Sequence, residues 1–284
     1  VAHSSAAAFD DGPESKLDFR LVLRSDLVIP SVDGGEGPFR HGDLIYRRTR
    51  PWTASVHALL STLQSHGFVN APFSGGYDAA WERVSFLPGE TGDLDENENM
   101  RSMTALRSAA RLLRRYHDCT ALFMPPMLEK DQTWQLPPRP PFEVICHGDF
   151  APYNVVLNSG EVTDIIDFET AHPGPRDWDI AYAIYRWAPL SAGVAIEDLG
   201  GLDTQILRTR LFLDAYGLPA KERPVLPGMI IDRLNALVGF MEREAANGVE
   251  RYRRNIEEGH DRIYRRDVAY ISEHRDEIIA GLMD

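Results

Sequence analysis

The chain has 284 residues, of which 43% are hydrophobic and 26% charged, a balance that excludes disorder, collagen and coiled coil as its main organisation. Thirty Lys plus Arg against 43 Asp plus Glu leave a formal charge of −13. Such a surface repels phosphate backbones and anionic lipid and attracts cations, so neither nucleic acid nor a membrane is expected as partner.

A chain of this length sits near the size at which one core divides in two, and two lobes are expected. No stretch approaches the ~20 consecutive apolar residues of a membrane span. The opening residues Val1 to Asp11 lack a basic start followed by an apolar run, so no secretory signal is expected, and residues 1–14 read as a flexible tail. The two cysteines, Cys119 and Cys146, are too few for a disulfide framework and fit a reducing cytoplasm.

From Phe19 to Arg48, short apolar runs alternate with turn residues, which predicts antiparallel strands. His41-Gly42-Asp43 reads as one of the hairpin turns. Val56, Leu59, Leu60 and Leu63 then share one face of a helix that stops near His66-Gly67. A second strand pair follows, its second member spanning Ala80 to Leu87. The acidic run Glu90 to Glu98 reads as a solvated loop, and the lobe boundary is placed at residue 90. Met103, Leu106, Ala110, Leu113 and His117 recur at helical spacing, predicting a helix between Asn99 and Asp118. After Trp187 the pattern is helical to the end, with one helix closed by Gly217-Leu218-Pro219.

Between these helices, the apolar runs Val155 to Leu157 and Val162 to Ile166 flank Asn158-Ser159-Gly160, which predicts a β-hairpin. With the turn centred between Ser159 and Gly160, Asn154 lies opposite Ile165 and Asp167 follows about 7 Å further on, at ~3.4 Å per residue. An amide oxygen and a carboxylate so placed suit Mg²⁺. Asp149, in the loop at the mouth of the hairpin, is placed to accept a proton from a hydroxyl attacking a γ-phosphate.

His147-Gly148-Asp149 with Asn154, then Ile166-Asp167-Phe168-Glu169, resembles the catalytic loop and metal-binding segment of the aminoglycoside phosphotransferase and choline kinase group. The run Ala171 to Ala181 resembles the segment that follows in that family. Residues 50–60 and 85–90 resemble a bacterial branch of it, in which some members carry the label of trifolitoxin immunity. The resemblance implies an α+β, bilobal, protein-kinase-like fold. Residues 15–89 would form a small nucleotide-binding lobe of antiparallel strands and one helix, and residues 90–284 a larger, mostly helical catalytic and substrate-binding lobe. It implies Asp149 as catalytic base, Asn154 and Asp167 on Mg²⁺, and ATP or GTP as donor to a small-molecule hydroxyl. An acidic surface suits a cationic acceptor. Asp179 matches an aspartate that braces the catalytic loop, with Arg176 and His147 as further supports.

The family's strand lysine and helix glutamate are missing. The only lysines are Lys16, Lys130 and Lys221, and no acidic residue lies between Asp43 and Asp78. Arg47 or Arg48 stands at the end of the relevant strand, and a guanidinium binds phosphate bidentately. The cluster Gly34, Gly35 and Gly37 offers a loop that could cover phosphates. The expected activity is therefore a cytoplasmic, Mg²⁺-dependent small-molecule phosphotransferase. The alternative is a degenerate nucleotide-binding or immunity-type protein that binds without transferring phosphate.

Overall fold

The computed structural model describes residues 37–128, 132–194 and 196–283. The expected tail, the strands before Phe39 and the glycines Gly34 and Gly35 lie outside the described residues.

The small lobe holds β1 (Phe39–His41), β2 (Leu44–Arg48), α1 (Thr53–Ser65), β3 (Ser74–Tyr77) and β4 (Trp81–Ser85). The strands form one antiparallel sheet in the order β1-β2-β4-β3. His41-Gly42-Asp43 makes the predicted tight turn, with Gly42 at φ 61°. Helix α1 buries Val56, Leu59, Leu60 and Leu63, the four residues of the predicted stripe. It ends at Ser65, with His66 as its cap just before Gly67, whose φ of 79° favours glycine.

The large lobe begins with α2 (Met103–Leu128), which runs ten residues past the expected stop at Asp118. Phe123 and Met124, both buried, extend its apolar stripe beyond the polar Asp118. Then come β5 (Val144–Cys146), β6 (Val155–Asn158), β7 (Glu161–Ile165), β8 (His172–Gly174) and α3 (Arg176–Trp187). Strands β6 and β7 are the predicted hairpin, turning through Ser159 (φ 53°) and Gly160 (φ 80°). Its register differs by one residue: a bulge between Val156 and Leu157 places Val155, not Asn154, opposite Ile165. Asn154 meets Ile166 instead, whose amide donates to its carbonyl at 2.9 Å. Strands β5 and β8 pair antiparallel and hold the two ends of the site segment together.

Five more helices complete the lobe: α4 (Leu202–Tyr216), α5 (Leu226–Ala246), α6 (Glu250–Glu257), α7 (His260–Glu273) and α8 (Arg275–Met283). Residues 220–246 are long and apolar enough to cross a membrane by length and composition. Half of that window is buried, and α5 packs against α3, α6 and α7. The connector between the lobes is stitched to β6, since Glu90 and Leu157 exchange both backbone hydrogen bonds at 2.9 and 2.8 Å. Within the acidic run, Asp93 is not solvated: it is buried and pairs with Arg186 at 2.6 Å. Sheet, connector and helical body together form the bilobal, kinase-like α+β fold expected from the sequence.

Candidate functional site

Asp149 stands in the loop between β5 and β6 and is buried. Its Oδ1 accepts from the Tyr153 hydroxyl at 2.8 Å, and its Oδ2 accepts from Asn154 Nδ2 at 2.8 Å. Burial pushes its pKa up to about 8, and the charge of Asp167 adds to the rise against the hydrogen bond from Tyr153 and the charges of Arg186 and Arg233. At neutral pH this carboxyl is mostly protonated.

The loop carrying Asp149 is shaped by Gly148 and Asp179. Gly148 has φ +83°, and a Cβ there would lie 2.4 Å from the Thr170 carbonyl oxygen, so no other residue fits without a backbone shift. Asp179, on the first turn of α3 and fully buried, accepts from the amides of His147 (2.7 Å) and Gly148 (2.9 Å). Burial alone would raise its carboxyl, but hydrogen bonds from His117 and Gly148 and the nearby histidines outweigh it and hold it at about 2.

Burial lowers the pKa values of both buried histidines here, against the opposing pull of Asp179. His117 donates from Nε2 to Asp179 at 3.0 Å and accepts at Nδ1 from the Tyr216 hydroxyl at 2.7 Å. His147 donates from Nε2 to the Ile166 carbonyl at 2.9 Å and accepts at Nδ1 from the Asp149 amide at 3.3 Å. It thereby ties the loop to the segment leading into Asp167. Arg176 does not touch the loop. It pairs with Asp118 at 3.0 Å and with the Tyr216 hydroxyl, two contacts removed from Asp179.

Asp167 follows β7 with φ 62° and ψ 68°, the left-handed region that few non-glycine residues occupy. Its Oδ1 lies 2.9 Å from Arg47 Nη1, and Arg47 Nε lies 2.8 Å from Glu82 Oε1. Glu82 meets His57 Nε2 at 3.3 Å, and His57 Nδ1 meets the Ser74 hydroxyl at 2.7 Å. Burial opposes the Arg47 charge, but Glu82, Asp167 and Glu169 outweigh it and hold its pKa above the usual range. Arg48 is on the other face of β2, with its guanidinium 4.1 Å above the Trp81 ring, and does not enter this cluster. Strand alternation sends neighbouring side chains to opposite faces.

Glu82 is the residue that reading the chain for a helix glutamate misses. It comes from the neighbouring strand, directly opposite Arg47 in the β2–β4 register. His57 holds the helix position and supports Glu82 from the side.

Between the lobes lies a cavity of about 230 Å³ lined by Ile45, Val84, Phe86, Leu87, Val156 and Ile166, with Arg47 and Asp167 also on its wall. Its apolar walls with one ionic patch suit a planar ring bearing an anionic tail.

Arg47 already stands at Asp167, where a metal would have to displace it or share its place, while Asn154 Nδ2 donates to the carboxyl and carbonyl of Asp149. Among the described residues, no group of three or more His, Cys, Asp or Glu side chains is placed to hold an ion.

The sequence model of the phosphotransferase enzyme family matches residues 127–212, the segment that carries Asp149, Asn154, Asp167 and Asp179. A curated relative, the trifolitoxin immunity protein of Rhizobium leguminosarum bv. trifolii, is 34% identical over 215 residues, covering 73% of this chain and 77% of the relative. The chain belongs to the aminoglycoside phosphotransferase and choline kinase-like family. Among solved structures, a choline/ethanolamine kinase family protein from Mesorhizobium loti superposes with a TM-score of 0.57 at 14% identity, covering 88% of this chain and 89% of that one. Amicoumacin kinase hAmiN, in complex with AMP-PNP, Ca²⁺ and Ami, superposes at 0.53 with 15% identity, covering 86% and 84%. At these identities the likeness is one of fold.

The expectation of an Mg²⁺-dependent phosphotransferase is corrected here. The curated relative is an immunity protein, and no metal-holding group of side chains forms among the described residues.

Proposed function

We propose that this protein is an immunity-type binding protein, which uses a kinase-like scaffold to capture a ligand without transferring phosphate. The observation that carries this reading is the position of Arg47, which bridges Glu82 and Asp167 and neutralises the carboxylate a metal would need. A protonated Asp149 points the same way, because a base must be free of its proton before the hydroxyl attacks.

The immunity relative supports a protective role against trifolitoxin or a similar toxin. A nucleotide is the ligand class best matched to the interlobe cavity: its apolar walls would take the base, and the ionic patch at Arg47 would face the phosphates. The AMP-PNP held by a neighbour in fold supports that class. Two unpaired cysteines, one of them buried, suit a cytoplasmic setting. The negative surface disfavours nucleic acid and anionic lipid as partners.

The test is expression in trifolitoxin-sensitive cells, followed by mass spectrometry of the toxin they contain. The cells should survive, and the toxin should carry no added phosphoryl group. Phosphorylated toxin, or cells that die like the controls, would refute the proposal.

A further inference from the structure

We infer that the Arg47 guanidinium is a built-in replacement for the divalent cation, so that the cleft takes the metal-free form of a nucleotide phosphate. This inference rests on the binding reading above.

The argument starts from where the charges stand. Asp167 is the carboxylate that follows the hairpin, and its Oδ1 is 2.9 Å from Arg47 Nη1. Glu82 Oε1, from the neighbouring strand, is 2.8 Å from Nε of the same guanidinium. One cation is thus shared by two carboxylates from different lobes, and all three side chains are largely buried, at 16%, 8% and 7% exposure for Arg47, Glu82 and Asp167. A divalent ion brought to Asp167 would have to displace Arg47 or be held beside a fixed positive charge. Either is unfavourable where water screens little.

A guanidinium has five N–H donors in a planar fork. The two contacts described use Nε and Nη1, and no bond from Nη2 to another described residue is present. Arg47 also lines the cavity wall. The remaining donors can therefore meet a phosphate oxygen entering the cavity, in the charge-assisted way that Arg favours. An ordinary kinase-type site delivers its phosphates with Mg²⁺. Here the positive charge belongs to the chain, and added Mg²⁺, which competes with Arg47 for the same phosphate oxygens, brings no gain.

Removing the guanidinium should reverse the preference. Glu82 and Asp167 would lose their shared counter-ion, and two carboxylates facing one gap attract a hard divalent cation.

The experiment uses manganese alone as probe, followed by electron paramagnetic resonance, and ADP by calorimetry with either Mg²⁺ or EDTA. Wild-type protein should bind no Mn²⁺ in a manner sensitive to Asp167→Asn. Its ADP affinity should change less than about twofold between the two buffers. Arg47→Ala, checked for native circular dichroism, should bind one Mn²⁺, and adding Asp167→Asn to it should abolish that binding. Arg47→Lys, which keeps the charge, should bind Mn²⁺ at least ten times more weakly than Arg47→Ala. The inference is overturned by wild-type Mn²⁺ binding that Asp167→Asn removes, by an ADP affinity that rises tenfold or more with Mg²⁺, or by a folded Arg47→Ala protein without Mn²⁺ affinity. If ADP binds in neither buffer, the nucleotide part of the functional reading fails, while the manganese measurements on wild type still decide the role of Arg47.

Discussion

Replacing Asp149 by Asn distinguishes a carboxylate poised for proton transfer from one that the fold holds protonated. In the folded chain burial raises this carboxyl to about 8, whereas its ordinary value is 3.8. Between those values the native state retains a proton that the unfolded chain has released, so stability falls as pH rises. The slope is at most about 1.4 kcal/mol per pH unit, or roughly 2–4 °C in Tm for a chain of about this size. In the variant, the amide oxygen can accept from Asn154 while the amide nitrogen donates to the Tyr153 oxygen, so the local bonding survives without the titration. Glu169, raised to about 7, and Asp267, raised to about 6, both by burial, lower stability over part of the same range in both proteins. His172, lowered by burial from 6.5 to about 4, acts oppositely between those values, since the unfolded chain then binds the extra proton. The difference between the two Tm profiles therefore isolates Asp149. Thermal unfolding from about pH 5 to about pH 8 should show the Asn variant gaining on wild type at every step. Parallel profiles would refute the protonated state on which the binding reading draws.

Asp179→Asn should destabilise the fold by about 3 kcal/mol, because it leaves at least one buried donor among His117, His147 and Gly148 facing an amide NH₂; urea unfolding measures the loss. Wild type holds this carboxyl at about 2 against an ordinary 3.8, so its contribution, about 2 kcal/mol, is present above 3.8 and disappears as pH falls toward 2. An acid titration of the Asn variant should lack that component. Gly148→Ala should cost about 1 kcal/mol for the left-handed backbone alone, and more for the contact with Thr170, read as a fall in Tm. A Gly148→Ala protein as stable as wild type would mean the loop is not held in this conformation.

The hairpin and the loop around Asp149 are legible in the sequence because their signals are local. Two apolar runs, a turn tripeptide and the His147-Gly148-Asp149 motif all lie within two dozen residues. Helix ends are harder to read, since α2 continues through polar Asp118 only because Phe123 and Met124 find a core to enter. His117 is a clearer example still. It occupies an apolar stripe position, and only the fold reveals that it links Tyr216 to Asp179.

The Arg47 cluster shows why a motif search finds a vacancy where the folded chain has a substitute. The search looks for a glutamate on the helix, and position 57 holds His. The negative charge instead sits on β4, 35 residues after Arg47, where antiparallel pairing places Glu82 opposite it. No spacing rule links these residues, because their separation depends on the length of α1 and β3 between them. Their register is set by the β2–β4 pairing, which runs without a break from Leu44 opposite Ser85 to Arg48 opposite Trp81. What can be read beforehand is narrower: an arginine at the end of one small-lobe strand and a glutamate near the start of another are candidates for a cross-strand pair. In this chain that pair reaches across the cleft to Asp167, and so a contact that begins as sheet pairing decides which cation the site contains.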